Sequence, residues 1–407
     1  MKKHIKKGIK QAIWFFALTR IKRNNPLIIG VGGSVGKTTT KDAIYEVVRV
    51  YDSSAIKSEK SYNTDIGVPL AILQLKTSVS ILVWAYRITV LFFQRILGLE
   101  SRFSSIVLEM GIDKLGDLDF LTSRVKPKIA VLTKIGPEHL EFLGSMKNVI
   151  SEETKLISCL DKHDTAILNA DDTLIVQMAK KTKAHVVWYG QAKNSDVRAD
   201  SIEVRRDGIH FIIRYAGQVV PVSVPSFGRH HIYPVLAAFS VGASLGMKIN
   251  DIVKGLKAFH LPEGRGVVLQ GSHDTIIIDD TYNASPASVV ASISALQDVK
   301  ILSPYGRSIV VIGDMLELGR YSTQMHQEVG EEIVKRADVV IAVGNESKHI
   351  YEITKKKLKS NAFWFEDSTQ AAQVIGSIIQ KNDIILVKGS RGMKMERVVE
   401  SLSVSSN

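Results

Sequence analysis

The stretch "IIGVGGSVGKTTTKDAI" (residues 28–44) restricts the folds open to this chain more than any other. An apolar run ends in a glycine loop, and a Lys-Thr pair then opens a helix-forming stretch. That is the order strand, phosphate-binding turn, helix. Gly33, Ser34, Gly36, Lys37, Thr38 and Thr39 form the expected nucleotide-binding set, in which glycines let backbone N–H groups approach phosphate. Lys37 reaches the β- and γ-phosphates and the Thr38 hydroxyl is placed for Mg²⁺. The spacing departs from the full phosphate-loop pattern, because Val31 stands five residues before Gly36.

The text that follows alternates between β-rich runs ("SSIVLEMG", "KIAVLTKIG", "TAILNAD", "HVVWYG") and helical lengths. This predicts an α/β protein with a doubly wound, mostly parallel central sheet. After "LPEGRG" (261–266) a second rhythm begins with "DTIIIDD", "SIVVIGD", "ADVVIAVG" and "NDIILVKGS". It predicts a smaller Rossmann-like α/β domain. The expected division is an N-terminal helix at 1–26, a central ATP-binding domain at 27–262 and a C-terminal domain at 263–407. The alternating stretch 207–225 reads as antiparallel strands of the first domain. The tail "SLSVSSN" reads as frayed.

Two segments interrupt this scheme. Residues 1–23 carry eight Lys or Arg and no acid, so most of the formal net charge of +12 sits in one arm. Ile5, Ile9, Ile13 and Phe16 give that arm an apolar helical face. Two readings stand: a helix on a membrane surface, or a basic helix packed on its own domain. No signal-peptide cleavage pattern follows it. The second segment, an apolar insertion at 77–103, contains "VSILVWAYRITVLFFQRILGL" (79–99), which is long enough to span a bilayer. Arg87 at its middle would cost ~2.5–3.5 kcal/mol there. An interfacial helix is favoured over a packed hairpin, and both over a spanning one. The single cysteine, Cys159, excludes a disulfide framework and reads as packing. Outside the arm the charge is nearly balanced and aromatic residues are not interleaved with basic ones, so no nucleic-acid partner is expected.

Further motifs stand in a fixed order: "SYNTDIGVPLAIL" (61–73), "VLEMG" (107–111), "GPEHLEFLGS" (136–145), "ILNADD" (167–172), "GRHHIYPVLAA" (228–238), "EGRG" (263–266), "DDTYNASPAS" (279–288), "VIGDMLELG" (311–319) and "KGSRGMKME" (388–396). Together with the glycine loop they resemble the Mur ligase family over nearly everything from residue 27 onward. Within it, "SYNTDIGVP", "DDTYNASP", "GDMLELG" and "KGSR" resemble the MurF type. The resemblance implies an ATP- and Mg²⁺-dependent ligase that activates a carboxylate as an acyl phosphate and joins it to an amine. For this type the acceptor is UDP-N-acetylmuramoyl-tripeptide and the amine is D-Ala-D-Ala, in peptidoglycan precursor synthesis.

By that resemblance Lys37, Glu109, His139 and Glu153 are the catalytic set. Thr38, Glu109 and His139 are the Mg²⁺ ligands, and Arg265 and Asn283 contact ATP across an interdomain cleft hinged near 261–266. Asn63, Thr64 and Asp65 are the acceptor-side candidates; Lys388, Ser390 and Arg391 form a cationic loop suited to the D-Ala-D-Ala carboxylate. Asp314, Glu317 and His326 lie in matched segments with no role assigned. Two positions depart from the family. Where relatives carry a carbamylated lysine that supports a second Mg²⁺, this chain has Glu153, with Lys155 on a different helix face. Either Glu153 supplies the carboxylate directly, without CO₂, or the second metal site is weakened. Where relatives have two asparagines, the chain reads His230, His231 and then Pro234, so adenine contacts do not carry over.

Family members of this type begin with a small domain that grips UDP, and here only the basic arm precedes the loop. Two enzymatic readings follow: UDP-muramoyl-tripeptide held by the central domain, or a different acceptor presented at a membrane. A weakened nucleotide-binding scaffold is the non-enzymatic alternative. The expected state is a cytoplasmic monomer, with peripheral contact at the inner membrane face through 1–23 and 79–99.

Overall fold

The computed structural model describes residues 2–59, 62–78 and 80–403, with side chains of the first helix from residue 7 onward. Ser61, Val79, residues 404–407 of the tail and the side chain of Ile5, all invoked above, lie outside the described residues. The chain divides into two compact units. The first comprises 1–135, 150–198 and 233–259; the second comprises 136–149, 199–232 and 260–407. A single cut near residue 262 does not reproduce this division, because two upstream stretches fold with the second unit.

In the first unit, six strands, β1 (Leu27–Gly32), β2 (Ile56–Lys57), β3 (Ser105–Glu109), β4 (Ile129–Leu132), β5 (Thr165–Asn169) and β6 (His185–Gly190), pair in the order β2-β3-β1-β4-β5-β6. All these pairings are parallel. Near-continuous apolar runs such as "SIVLE" and "IAVL" are buried on both faces, as parallel strands require. The chain crosses β1 between β3 and β4, so the carboxyl end of β1 is a topological switch point. In the register, Val31 stands beside Glu109 and Gly32 beside Leu132.

Helix α1 (Lys2–Asn24) takes the second of the two readings left open for the arm, a basic helix packed on its own domain. Ile13, Phe16 and Ala17 are buried, and the Trp14 Nε1–H donates to the Asp65 carbonyl over 2.7 Å. Trp14 also meets Phe120 edge-on, with centroids 5.6 Å apart. Arg20 is buried and donates to the Ile72 carbonyl and to Ser101. The apolar face packs against this unit, next to α3 (Gly67–Leu73). By contrast α4 (Ile81–Ile96), the core of the second interrupting segment, buries only Trp84 and Leu91 of its sixteen residues. No described helix is long and apolar enough to cross a membrane.

In the second unit, β10 (Val267–Gln270), β11 (Ile276–Asp280), β12 (Ser308–Gly313), β13 (Val339–Val343), β14 (Ala362–Phe365) and β15 (Ile384–Lys388) pair in the order β10-β11-β15-β12-β13-β14. Only β10 runs antiparallel to its neighbour. Val310, Ile312, Leu386, Ile293 and Leu296 fill one side of this sheet and Val311, Val387, Ile375 and Val398 the other. Upstream, β7 (Val197–Arg205) is followed by β8 (Gly208–Tyr215) and β9 (Gln218–Val224), which form the antiparallel hairpin that the alternation predicts. They continue the first sheet, in the order β2-β3-β1-β4-β5-β6-β7-β8-β9 with β7 parallel to β6, although residues 199–232 group with the second compact unit. Cys159 is half-buried and burial pushes its thiol up to about 11, in keeping with a packing role.

Candidate active site

The glycine loop leaves the switch point and enters α2 (Lys37–Tyr51). Two glycines make the turn possible. Gly33 has φ +113°, and a Cβ there would lie 2.4 Å from the Thr133 hydroxyl; Gly36, at φ +87°, is the residue before the helix. The amides of Ser34 and Val35 donate to the Lys134 carbonyl at 2.6 and 3.3 Å, and the Gly33 amide donates to Glu153 Oε2 at 2.8 Å. These contacts shape the loop, and the start of α2 is the end of a helix that favours an anion. Lys37 folds its Nζ back to the Gly33 carbonyl, 2.5 Å away. Thr39 is buried in the first turn of α2.

Thr38 and Glu109 meet. The Thr38 hydroxyl donates to Glu109 Oε2 at 2.8 Å, and Asn63 Nδ2 donates to Oε1 at 3.1 Å. The Asn63 amide rests across Gly111, where a Cβ would come within 2.6 Å of it. Sequence reasoning missed the support beneath. Lys41, fully buried, donates to the Ser58 carbonyl at 2.7 Å, and the Ser58 hydroxyl accepts from the Glu109 amide at 3.2 Å. Burial lowers the Lys41 pKa, against the opposing pull of Asp42 and Glu109. Its signal was available: Lys41 follows Lys37 by four residues, on the same helix face.

Asn63 is the one member of the acceptor-side trio at the carboxylate. Thr64 accepts from the Gly67 amide at 3.3 Å, at the start of α3. Asp65 is paired with Lys10 of α1.

Glu153 lies on α5 (Met146–Ser158) and is completely buried. It points at the underside of the phosphate loop rather than into solvent: a Cβ on Gly32 would meet its Oε2 at 2.9 Å. Its Oε1 has no hydrogen-bond partner among the described residues. Burial raises the carboxyl to about 7, opposed by Lys37 and by the Gly33 amide. A buried acceptor left without a donor is satisfied by a proton or by a cation. Lys155 turns away to Asp119 and Glu152, confirming that it does not occupy the position of Glu153.

His139 belongs to the second unit. It adopts φ +50°, and its Nδ1 lies 2.5 Å from Glu317 Oε2, while the Glu141 amide donates to the Glu317 carbonyl at 3.0 Å. Glu317 thus acquires a place that its spacing did not reveal. Among the described residues no group of three His, Cys, Asp or Glu side chains is gathered as a metal cluster.

His231 is buried and neutral: burial and neighbouring His230 push its pKa well below the usual range, and its Nδ1 meets the Ser226 hydroxyl. The Arg265 guanidinium stacks 4.0 Å from the centre of the Tyr282 ring. Asn283 is exposed, and its carbonyl accepts from Lys388 Nζ at 2.9 Å.

In the loop 388–391 two of the three expected side chains have internal partners. Lys388 is buried in an ion pair with Asp280 at 2.6 Å, and burial lowers its pKa. Ser390 accepts from the Leu316 amide at 2.9 Å and donates to the Ala284 carbonyl at 3.3 Å. Both side chains hold neighbouring loops together, because a polar group this deeply buried needs an internal partner. Arg391 remains exposed, 3.7 Å from Glu396. His326 is also internal. Its Nε2 accepts from the Met315 amide at 3.0 Å and its Nδ1 lies 2.8 Å from the Ser322 carbonyl, an arrangement that fits the Nδ1–H tautomer.

Comparison with known proteins adds an independent line. The model of the Mur ligase middle domain matches residues 88–242, and that of the Mur ligase glutamate ligase domain matches residues 264–391. The UDP-N-acetylmuramoyl-tripeptide--D-alanyl-D-alanine ligase of Bacillus subtilis is 31% identical over 381 residues, covering 92% of this chain and 75% of the relative. The ligase of the same name from Escherichia coli is 28% identical, covering 92% and 76%. Among solved structures, MurF from Acinetobacter baumannii superposes with a TM-score of 0.80 at 24% identity, covering 97% of this chain and 80% of that one. MurF from Thermotoga maritima, solved in complex with ADP, gives 0.79 at 24% identity, covering 96% and 83%.

Proposed function

This chain belongs to the Mur ligase family, and from that premise we propose that it is an ATP-dependent ligase joining D-alanyl-D-alanine to UDP-N-acetylmuramoyl-tripeptide. The observation that carries the reading is the hydrogen bond between Thr38, first turn of the phosphate-loop helix, and Glu109, at the carboxyl end of the adjacent strand. It puts a hydroxyl, a carboxylate and a lysine at one switch point, where an α/β sheet binds nucleotide.

In this reading an acceptor carboxylate oxygen attacks the γ-phosphorus of ATP, the bond to the β–γ bridging oxygen breaks and ADP leaves. The D-Ala-D-Ala amine then attacks the acyl carbon, phosphate departs with the former carboxylate oxygen, and the nitrogen loses its proton. Such transfer asks the protein for charge neutralisation and alignment. Lys37 neutralises the transferring phosphoryl group, and the start of α2 adds its dipole. Asn63 orients Glu109 by holding one carboxylate oxygen.

The residues present fit Mg²⁺: Thr38 and Glu109 are hard oxygen donors, and a partly hydrated Mg²⁺ takes one or two protein carboxylates. Bound there, it would draw charge from the phosphoryl oxygens. His139 completes the set by family resemblance. Glu153, standing where relatives carry a carbamylated lysine, supplies its carboxylate without CO₂; its unpartnered Oε1 is the feature that supports this. Arg265 and Asn283 serve the nucleotide, and Arg391 serves the carboxylate of the incoming dipeptide.

The test is phosphate release by the purified chain with ATP, Mg²⁺, UDP-muramoyl-tripeptide and D-Ala-D-Ala, with mass spectrometry of the product. UDP-muramoyl-pentapeptide is expected, formed equally well with and without added bicarbonate. ATP binding that Lys37→Ala abolishes, without any amide product, would refute the reading.

A further inference from the structure

Helix α4 has the composition of a buried helix and the exposure of a surface one. Its buried contacts are made by Trp84 and Leu91. At 100° per residue, Leu82, Tyr86, Thr89, Phe93, Ile96 and Leu97 fall within an arc of about 100° on the opposite side. All six are exposed, Leu82 at 82% and Tyr86 at 70%. Phe15 of α1, also exposed, sits beside this helix, with the Arg95 guanidinium 5.6 Å from its ring centre. A contiguous aromatic and aliphatic face of this kind marks an interaction surface.

Charge identifies the occupant. Residues 79–99 contain no acid, and neither does the arm 1–23 that runs beside them. Arg23 bridges the two elements at their carboxyl ends: it pairs with Glu100 at 3.0 Å and passes within 3.8 Å of the position a Cβ on Gly98 would take. Arg95 is exposed on the side of α4 away from that face, toward Phe15 of α1, and Lys22 and Arg102 are exposed in the flanking sequence. An acid-free apolar face, with cations on the far side of its helix and in the flanking sequence, on a helix too short to span, matches an anionic lipid surface, where side chains enter the acyl boundary and cations meet headgroup phosphates.

We propose that α4 is an in-plane membrane-docking helix, which inserts the Leu82–Tyr86–Phe93–Leu97 face into anionic bilayers while the α1 cations stay at headgroup level. This differs from docking through two amphipathic helices, since the apolar face of α1 is buried inside the fold. It does not depend on the ligase reading.

The experiment is co-sedimentation of the full chain with vesicles of phosphatidylcholine alone or with about a third phosphatidylglycerol. Binding to the anionic vesicles, little to the neutral ones, and weakening in ~0.5 M salt are expected. The variant Leu82→Ser/Phe93→Ser/Leu97→Ser should lose about tenfold or more in vesicle affinity. Because those side chains are exposed, its unfolding midpoint should match that of the parent chain. A separate Tyr86→Trp variant should gain an emission component, relative to the parent chain, that shifts to the blue on anionic vesicles, a readout independent of the triple variant. Absence of vesicle binding, equal binding by the triple variant, or an added emission component that does not shift would overturn the proposal. So would a concentration-dependent dimer that the triple variant abolishes, which would assign the face to a second copy.

Discussion

Replacing Glu153 with glutamine removes a charge that the fold holds at a cost in solvation. The carboxyl is fully buried and burial raises it from 4.5 to about 7. Because the folded-state value is the higher one, the folded chain binds more protons than the unfolded chain between those limits. Stability is therefore full below about pH 4.5 and declines as pH rises toward 7, after which the loss is complete. A shift of this size corresponds to about 3 kcal/mol, with no discount for solvent screening at a group this buried. Glutamine keeps an oxygen to accept from the Gly33 amide and carries no charge. In the absence of nucleotide and metal, the variant should thus melt close to the parent chain at about pH 5 and roughly 5 °C above it at about pH 8. Calorimetry of both proteins from about pH 5 to 9 measures the difference directly, and other titrating groups cancel in it. Mg²⁺ with ATP should shrink the gap at the alkaline end if the Glu153 carboxylate faces the cation. A difference between the two proteins that does not change with pH would refute the argument, because it would mean that Glu153 is already ionised at no cost.

Three further outcomes follow from the geometry. Lys37→Ala should reduce phosphate release by about 10²-fold or more, the scale of losing one preorganised transition-state contact, with little change in the unfolding midpoint. Lys388→Met should destabilise the second unit by ~3–5 kcal/mol by leaving Asp280 largely buried and without its cation, and adding Asp280→Asn should recover much of the loss; urea unfolding of the two variants checks this. Trp14→Ala should cost ~3–5 kcal/mol of packing and free α1, seen as faster proteolytic cleavage within residues 7–24 while the phosphate loop still binds ATP.

Legibility in the sequence followed the range of the interactions. The strand, loop and helix around Lys37 and Thr38 are local, and the glycines specify them. Glu109 was readable because an acid ending an apolar run in an α/β pattern sits at a strand tip. The motif frame placed Glu153 on its helix but not its direction, since the contact with Gly33 spans 120 residues. Lys388 and Ser390 looked like ligand donors because a cationic loop after a strand is exposed by default. Their partners, Asp280 and the Leu316 amide, lie 108 and 74 residues away. The periodicity of α1 gave it an apolar face without saying what covers it, and Trp14, omitted from that face, is among its anchors. Lys41 escaped notice for the opposite reason: a lysine on an amphipathic helix is ordinarily solvated, and partners such as Ser58 and Asp42 make its burial tolerable.

The pairing of Val31 with Glu109 across β1 and β3 has a bearing on how such a chain can change over time. A ladder of parallel hydrogen bonds fixes Glu109 beside the phosphate loop whatever the path by which the chain arrives at Ser105. Beyond Asn63, the part of the β2–β3 connector around α4 is consequently free to lengthen or shorten without displacing the carboxylate. A one-residue slip within β3 is another matter, since it turns Glu109 to the opposite side of the sheet. Tolerance to insertion is therefore expected to be narrow in the short strand and wide around α4.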